Sequence, residues 1–373
     1  MKTKVTELLG IEFPILAFSH CRDVVAAVSK AGGFGVLGAV AHTPDRLDHD
    51  LSWIEEHSGG KPYGVDLLLP SKFAGGDEVP SRDAVEALLP VEHRQFLDEI
   101  LERYGVPALA SDDRVPLGVM QVQRDALTPL LDVAFAHPIR LIASALGAPP
   151  PFLVERAHGG DVLVAALAGA PSHAERHAAA GADIIVAQGS EAGGHTGEIG
   201  TMVMVPEVVD AVAPIPVLAA GGIARGRQIA AALALGAQGV WCGSVWLTTE
   251  EAETSPSVKE KFLAATSADT IRSRSLTGKP ARMLRSAWTD EWERADAPKP
   301  LPMPFQSALV AEARERIGRS SHQAGSGAQK LDNYFVGQVV GALNQVKPCR
   351  QVVFDMVAEY IDACDRTQAI NDA

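Results

Sequence analysis

The segment Ala187–Gly197 reads A-Q-G-S-E-A-G-G-H-T-G and concentrates residue types that can work on a bound organic molecule. His195 titrates near neutrality, at about 6.5 when unperturbed, so its imidazole can take a proton from carbon. Gly193 and Gly194 precede it without side chains, so a flat ring can lie against the backbone. Gln188 offers an amide donor and an acceptor together, which suits the edge of a flavin ring. Two glycine turns follow later in the chain, Ala219-Ala220-Gly221-Gly222-Ile223 and Trp241-Cys242-Gly243-Ser244. Glycine admits close approach of the backbone, free N–H groups at a helix start attract an anion, and Ser244 adds a hydroxyl donor. A base, a ring platform and a phosphate cradle are therefore all encoded.

Placing them together requires a fold that gathers strand ends. The chain alternates short apolar runs with helical segments, the mark of βαβ units and a parallel sheet. Eight strands are expected: Phe13–Phe18, Phe34–Ala39, Tyr63–Leu69, Ile139–Ser144, Asp161–Ala166, Asp183–Gln188, Ile215–Ala219 and Gln238–Gly243. Continuous apolar runs of this kind suit strands buried on both faces. Helical patterns at Asp23–Ala31, Pro151–His158, Ser172–Ala180 and Arg225–Leu235 alternate with them. The expected fold is α/β, a (β/α)8 TIM barrel. The loops after its seventh and eighth strands are where barrels commonly hold a phosphate. The 187–197 loop would lie beside them on the same face.

Two parts exceed the plain barrel. Pro70–Pro138 separates strands three and four, with helical patterns near Arg82–Leu89, His93–Tyr104 and Arg124–Ala136, and reads as a lid or cap. The expected organisation is residues 1–248 as barrel, with the 70–138 insert, and 249–373 as a helical extension packing back on it. The tail has a Pro-rich stretch at Ala297–Pro304 and a last helix near Gln351–Asp362.

Other patterns carry less. Gly33–Gly38 matches G-x-G-x-x-G, but its glycines end a helix and enter a strand, the reverse of a dinucleotide-binding turn. A helix end and close helix–strand packing account for them. His173 and His177 lie four apart around Glu175, but H-A-E-R-H is not H-E-x-x-H, so a solvated helix face is expected and no metal. Cys21, Cys242, Cys349 and Cys364 form no C-x-x-C pair and read as reduced thiols. The 373 residues carry a formal net charge of -13, which disfavours nucleic acid and anionic membranes as partners. With 47% hydrophobic residues a large core can be buried. No apolar run approaches the roughly 20 residues of a membrane span, and the first residues lack a signal-peptide pattern, so a cytoplasmic location is expected.

The segment A-Q-G-S-E-A-G-G-H-T-G, followed by P-V-L-A-A-G-G-I and G-A-Q-G-V-W-C-G-S, resembles the nitronate monooxygenase family, once called 2-nitropropane dioxygenases. The likeness includes V-S-K-A-G-G-F-G-V-L-G-A near the start, A-L-G-A-P-P-P after strand four, S-L-T-G-K-P-A-R at Ser275–Arg282 and V-G-Q at Val336–Gln338. It covers most of the chain apart from the insert. The resemblance implies a barrel holding FMN noncovalently. Gln188 and Gly193 would lie at the flavin, Gly222 and the Trp241–Ser244 turn at its phosphate, and His195 would be the catalytic base. It also implies oxidation of an alkyl nitronate with O2 to a carbonyl compound and nitrite, the histidine deprotonating a neutral nitroalkane. The flavin carries the redox chemistry and the protein supplies position and electrostatics.

Departures from the family lie at the same strand ends. Many members end strand one in Ala-Pro-Met, where this chain has Ala17-Phe18-Ser19-His20. An Asn commonly follows Gly-Val in strand three, where this chain has Asp66. A carboxylate there would oppose negative charge on a reduced flavin but can accept a hydrogen bond from a ring N–H. His20 reads as a second acid/base, a substrate ligand or packing under the ring. These departures and the insert keep a second enzymatic reading open, an enoyl or acyl thioester (CoA) reductase or dehydrogenase, with NAD(P)H as a partner in place of O2. A noncatalytic FMN-binding barrel is the third. The expected partner is a small-molecule substrate, and the protein itself a monomer or homodimer.

Overall fold

A parallel strand that is apolar on both faces can be buried only between a core and a helical layer, and eight such strands here close on themselves. The computed structural model describes residues 1–40, 42–68, 87–110, 124–145 and 147–372. The barrel runs in the order β1 (Ile15–Ser19), β2 (Phe34–Gly38), β3 (Tyr63–Leu68), β4 (Leu141–Ala145), β5 (Leu163–Ala168), β6 (Ile184–Gln188), β8 (Val217–Ala220) and β9 (Gly239–Cys242), which pairs back to β1. The two-residue β7 (Gly194–His195) lies outside this closed sheet. Each expected strand is present, with shifted ends. β5 starts two residues later than expected because Asp161, at φ 55, and Val162, whose N–H donates to Ala157, still belong to the end of the preceding helix.

Parallel partners in register point to the same side of the sheet, so one inward residue fixes the rest. Leu16, Phe34, Leu141, Ala165, Val186 and Leu218 fill the interior. Helix α1 (Lys4–Leu9) adds Val5 and Leu9 to that cluster. It starts at Thr3, whose side chain accepts from the Thr6 N–H, and stops at Gly10 in the left-handed conformation. The surrounding wall contains α2 (Arg22–Lys30), α3 (Pro44–His57), α5 (Arg124–Ala136), α6 (Pro151–Gly159), α7 (Pro171–Ala179), α8 (Thr201–Val212) and α9 (Gly226–Ala234), with α4 (Val91–Arg103) set apart from it.

The insert divides in two. Leu127, Leu130, Leu131 and Ala134 of α5 share a core with Leu47 and Leu51 of α3, so α5 belongs to the barrel wall. In α4, Leu97, Ile100 and Leu101 pack on Trp288, Trp292, Leu309 and Val310 of the C-terminal extension. Arg103 and Tyr104 both bond the buried carboxylate of Glu291. Most of the expected Arg82–Leu89 helix falls outside the described residues. The extension holds α10 (Pro256–Ala264), α11 (Ala287–Trp292), α12 (Phe305–Ser320), α13 (Gly327–Leu331) and α14 (Cys349–Asn371). It is not wholly helical: β10 (Thr270–Ser273) and β11 (Ala281–Leu284) form an antiparallel sheet with β7.

The dinucleotide-like glycines do what their context implies. A Cβ at Gly35 would lie 2.3 Å from the Val25 carbonyl oxygen, so this glycine lets α2 press against β2. Among the described residues no helix is long and apolar enough to cross a membrane.

Candidate active site

His195 lies on β7, and β7 exists only because the extension pairs with it. Ala281 stands opposite His195 and Arg282 opposite Gly194. The His195 Nδ1 is 3.2 Å from the Pro280 carbonyl oxygen. A carbonyl can only accept, so Nδ1 carries the proton and Nε2 keeps its lone pair. Burial lowers the His195 pKa below 6.5, the Pro280 contact offsets part of this, and nearby Lys279 lowers it again. The ring is therefore a neutral base at neutral pH.

The loop carrying it is braced from two sides. The Arg282 Nε donates to the Ser190 carbonyl at 3.0 Å, and the Arg272 guanidinium to the Thr196 carbonyl at 3.3 Å. Gly337 and Gln338 lock its other edge. The Gln338 N–H donates to the Glu191 carbonyl at 2.9 Å, and the Gly337 N–H to the Ser244 Oγ at 2.8 Å. Ser244 thus accepts from the tail and keeps its own O–H for a ligand. These contacts give physical content to S-L-T-G-K-P-A-R and V-G-Q: both support the loop that carries His195. Arg272, Arg282 and Glu191 had no visible role in the sequence, because their partners Thr196, Ser190 and Gln338 lie 76, 92 and 147 positions away in the chain.

The two glycines before His195 differ. A Cβ at Gly193 would sit 2.8 Å from the Val336 carbonyl carbon and 2.9 Å from the Gly337 nitrogen. Gly194, at φ 75, faces open space. Gly193→Ala should therefore force the tail off the loop and destabilise the fold by about 1–3 kcal/mol, as overpacking does. Chemical denaturation checks this; unchanged stability would mean the tail yields freely.

The turn after β8 has Gly221 at φ 100 and Gly222 at φ 68. A Cβ at Gly221 would lie 2.9 Å from the Thr201 Oγ1 and 3.0 Å from the Gly189 carbonyl. Glu191 caps α8, accepting from the Thr201 N–H at 2.9 Å and facing its hydroxyl at 2.9 Å. Among the described residues the N–H groups of Gly222, Gly243 and Ser244 reach no internal acceptor. Unpaired amides in two adjacent glycine turns suit a phosphate. A cavity of about 420 Å³ flanks Gly221 and Gly222 on the helix side, but none of Asp66, Gln188 and His195 lines it.

Gln188 ends β6 opposite Ala220, and Asp66 lies within β3, between Gly38 of β2 and Ala143 of β4. Ala143 and Ala220 are interior residues, so Asp66 and Gln188 point inward as well. Asp66 is buried and its pKa is raised to about 7 by that burial alone. Ala17 is buried on the helix side of β1, while Phe18 packs in the interior with its ring 6.2 Å from that of Trp241. Trp241 and Cys242 therefore both belong to β9, Trp241 with its side chain in the barrel interior, and only Gly243 and Ser244 lie in the turn. The Ser19 Oγ accepts from the Cys21 N–H at 3.1 Å, and Cys242 is a buried thiol. His20 stands at the mouth, its Nδ1 2.7 Å from the Gly38 carbonyl and its ring edge-on to Phe18. Open surface remains on its mouth side, while the protein crowding the rest of the ring lowers its pKa. The helix face expected to be solvated is not so at His177, which is 4% exposed, with its Nε2 3.0 Å from the Leu167 carbonyl.

An inward amide and carboxyl, two turns of free amides, and a base on a braced loop fit a flat ring with a phosphate tail. Comparisons agree. The sequence profile of the nitronate monooxygenase family matches residues 2–359. A Mycobacterium tuberculosis protein named "Putative monooxygenase" is 67% identical over 373 residues, covering 99% of each chain. A Staphylococcus saprophyticus protein named "Probable nitronate monooxygenase" is 31% identical over 86% of this chain and 89% of its own. The solved structure of nitroalkane oxidase from Streptomyces ansochromogenes superposes with a TM-score of 0.80 at 27% identity, over 97% of this chain and 99% of its own. The chain belongs to the nitronate monooxygenase family of flavin-dependent oxidoreductases.

Proposed function

We propose that this chain is an FMN-dependent nitronate monooxygenase, oxidising alkyl nitronates with O2 to a carbonyl compound and nitrite. The observation that carries the reading is His195: a neutral imidazole whose Nδ1–H is fixed on the Pro280 carbonyl, leaving Nε2 free on a braced loop at the barrel mouth. Simple binding of a ring needs no such base. When bound, the flavin supplies the electron-accepting group and the site of oxygen chemistry.

The chain's own residues do the rest. Gln188 and Gly194 position the ring, and the amides of Gly222, Gly243 and Ser244, with the Ser244 hydroxyl, hold the phosphate. Nε2 of His195 takes the proton on the carbon bearing the nitro group when the substrate arrives neutral; a nitronate arrives without it. α4, α11 and α12 pack on β11, whose Ala281 pairs with His195, and so hold that loop in place. FMN is favoured over FAD because the sequence holds no dinucleotide fingerprint in a valid context. The net charge of -13 fits a cytoplasmic enzyme with small-molecule partners.

The test is chemical. Cofactor released from the purified protein should co-chromatograph with FMN, and added nitronate should consume O2 and release nitrite. FAD as the released cofactor, or oxygen uptake without nitrite, would overturn the assignment.

A further inference from the structure

Asp66 is an acid placed where a charge has no support. The register turns its side chain into the barrel, between Gly38 of β2 and Ala143 of β4. It is 4% exposed. Among the described residues no donor or cation reaches the carboxyl, and its burial is the only influence on its titration, upward to about 7. Leaving water without a partner penalises the carboxylate far more than the acid.

Among the described residues the elements around it bring few titratable groups. His20 follows β1 with its Nδ1 on the Gly38 carbonyl, and its own pKa is lowered by burial. Beyond it His42 contacts Asp50, which also binds Arg22 and Arg46. β4 contributes alanines, β6 Gln188 and β9 Trp241. His195 stands on the loop after β6.

A neutral carboxyl presents one O–H donor and one C=O acceptor in a plane, as an amide does, whereas a carboxylate only accepts. The pyrimidine edge of a flavin alternates C=O and N–H groups and pairs with a donor beside an acceptor. Resting on the flavin reading above, we propose that Asp66 holds the ring as a neutral carboxylic acid, donating its proton to a ring acceptor and accepting from the ring N–H. Flavin binding and protonation of Asp66 are then linked: an ionised Asp66 must gain a proton before the ring is held.

Linkage fixes the sign. Below the Asp66 pKa the acid is already present and affinity is flat. Above it, each pH unit should weaken binding by up to about tenfold. Riboflavin is the first probe, because it has no phosphate to titrate; FMN is the second. Fluorescence titrations from about pH 5.5 to about 9 should show the riboflavin Kd rising about tenfold per unit on the alkaline side. Asp66→Asn keeps donor and acceptor at every pH, so its profile should be flat and its affinity at the alkaline end higher than the parent's. His20→Gln should keep the parent's slope.

A flat parent profile with flavin bound, or the parent's slope surviving in Asp66→Asn, would overturn the proposal. Infrared spectroscopy of the loaded parent supplies a measurement independent of any variant's folding. It should show a protonated-carboxyl C=O band near neutral pH that fades on raising the pH with loss of flavin; absence of that band also overturns it. Failure to bind either flavin at any pH would instead overturn the flavin reading itself, and the proposal with it.

Discussion

His195→Asn should lower turnover of a neutral nitroalkane by about 10²–10⁴-fold, the usual worth of a general base, while flavin stays bound. Asparagine can still donate to the Pro280 carbonyl, and the main-chain pairing with Ala281 needs no side chain. What is lost is the Nε2 lone pair. A preformed nitronate has already shed the proton, so its turnover should fall much less. The pH dependence carries the same signature. Burial holds the His195 pKa below 6.5, so the base stays neutral into mildly acid solution. Turnover of the neutral substrate should fall as pH drops through a value below 6.5, where the imidazole protonates, and nitronate turnover should not follow it. Equal losses on both substrates would make His195 a positioning residue. No loss on either would remove it from the chemistry and turn attention to His20.

Gly222→Asp should raise the Kd for FMN by about 10²-fold or more. The residue sits at φ 68, its N–H has no internal acceptor among the described residues, and an added Cβ would meet the Glu191 Cβ at 3.2 Å. A carboxylate there faces the phosphate at close range, and two like charges about 4 Å apart repel by about 4 kcal/mol at an effective dielectric of 20. Partial solvation reduces that, but about 2.7 kcal/mol already gives the stated effect. Riboflavin binding should change far less, since it lacks the phosphate. Gly222→Ala adds a side chain without charge and separates strain from repulsion. FMN held by Gly222→Asp as tightly as by the parent would move the phosphate site elsewhere.

The barrel was legible because its strands are buried on both faces and must be apolar throughout: L-I-A-S-A and I-I-V-A-Q admit few other readings. The glycine turns were legible for a related reason, since consecutive left-handed residues such as Gly221 and Gly222 favour glycine. Local pattern stopped at β7. Gly-His has no strand character, and it becomes a strand only by pairing with Ala281 and Arg282. The contacts of Pro280 with His195, Gly337 with Ser244 and Gln338 with Glu191 join segments 85, 93 and 147 positions apart. Nothing in the spacing of either partner announces the other. Helix α8 contains Pro206, which breaks the helical pattern in sequence. The insert was misleading as one unit because only packing shows that α5 joins the wall while α4 joins the extension.

In the proposed reaction electrons pass from a nitronate to the bound flavin and then to oxygen. Anaerobic mixing of the FMN-loaded protein with a simple alkyl nitronate isolates the first transfer. The visible flavin band should bleach on mixing, and readmitted oxygen should restore it with release of nitrite. A band that stays unchanged with the nitronate but bleaches with NAD(P)H or an acyl thioester would make the protein a reductase or dehydrogenase and not a nitronate monooxygenase.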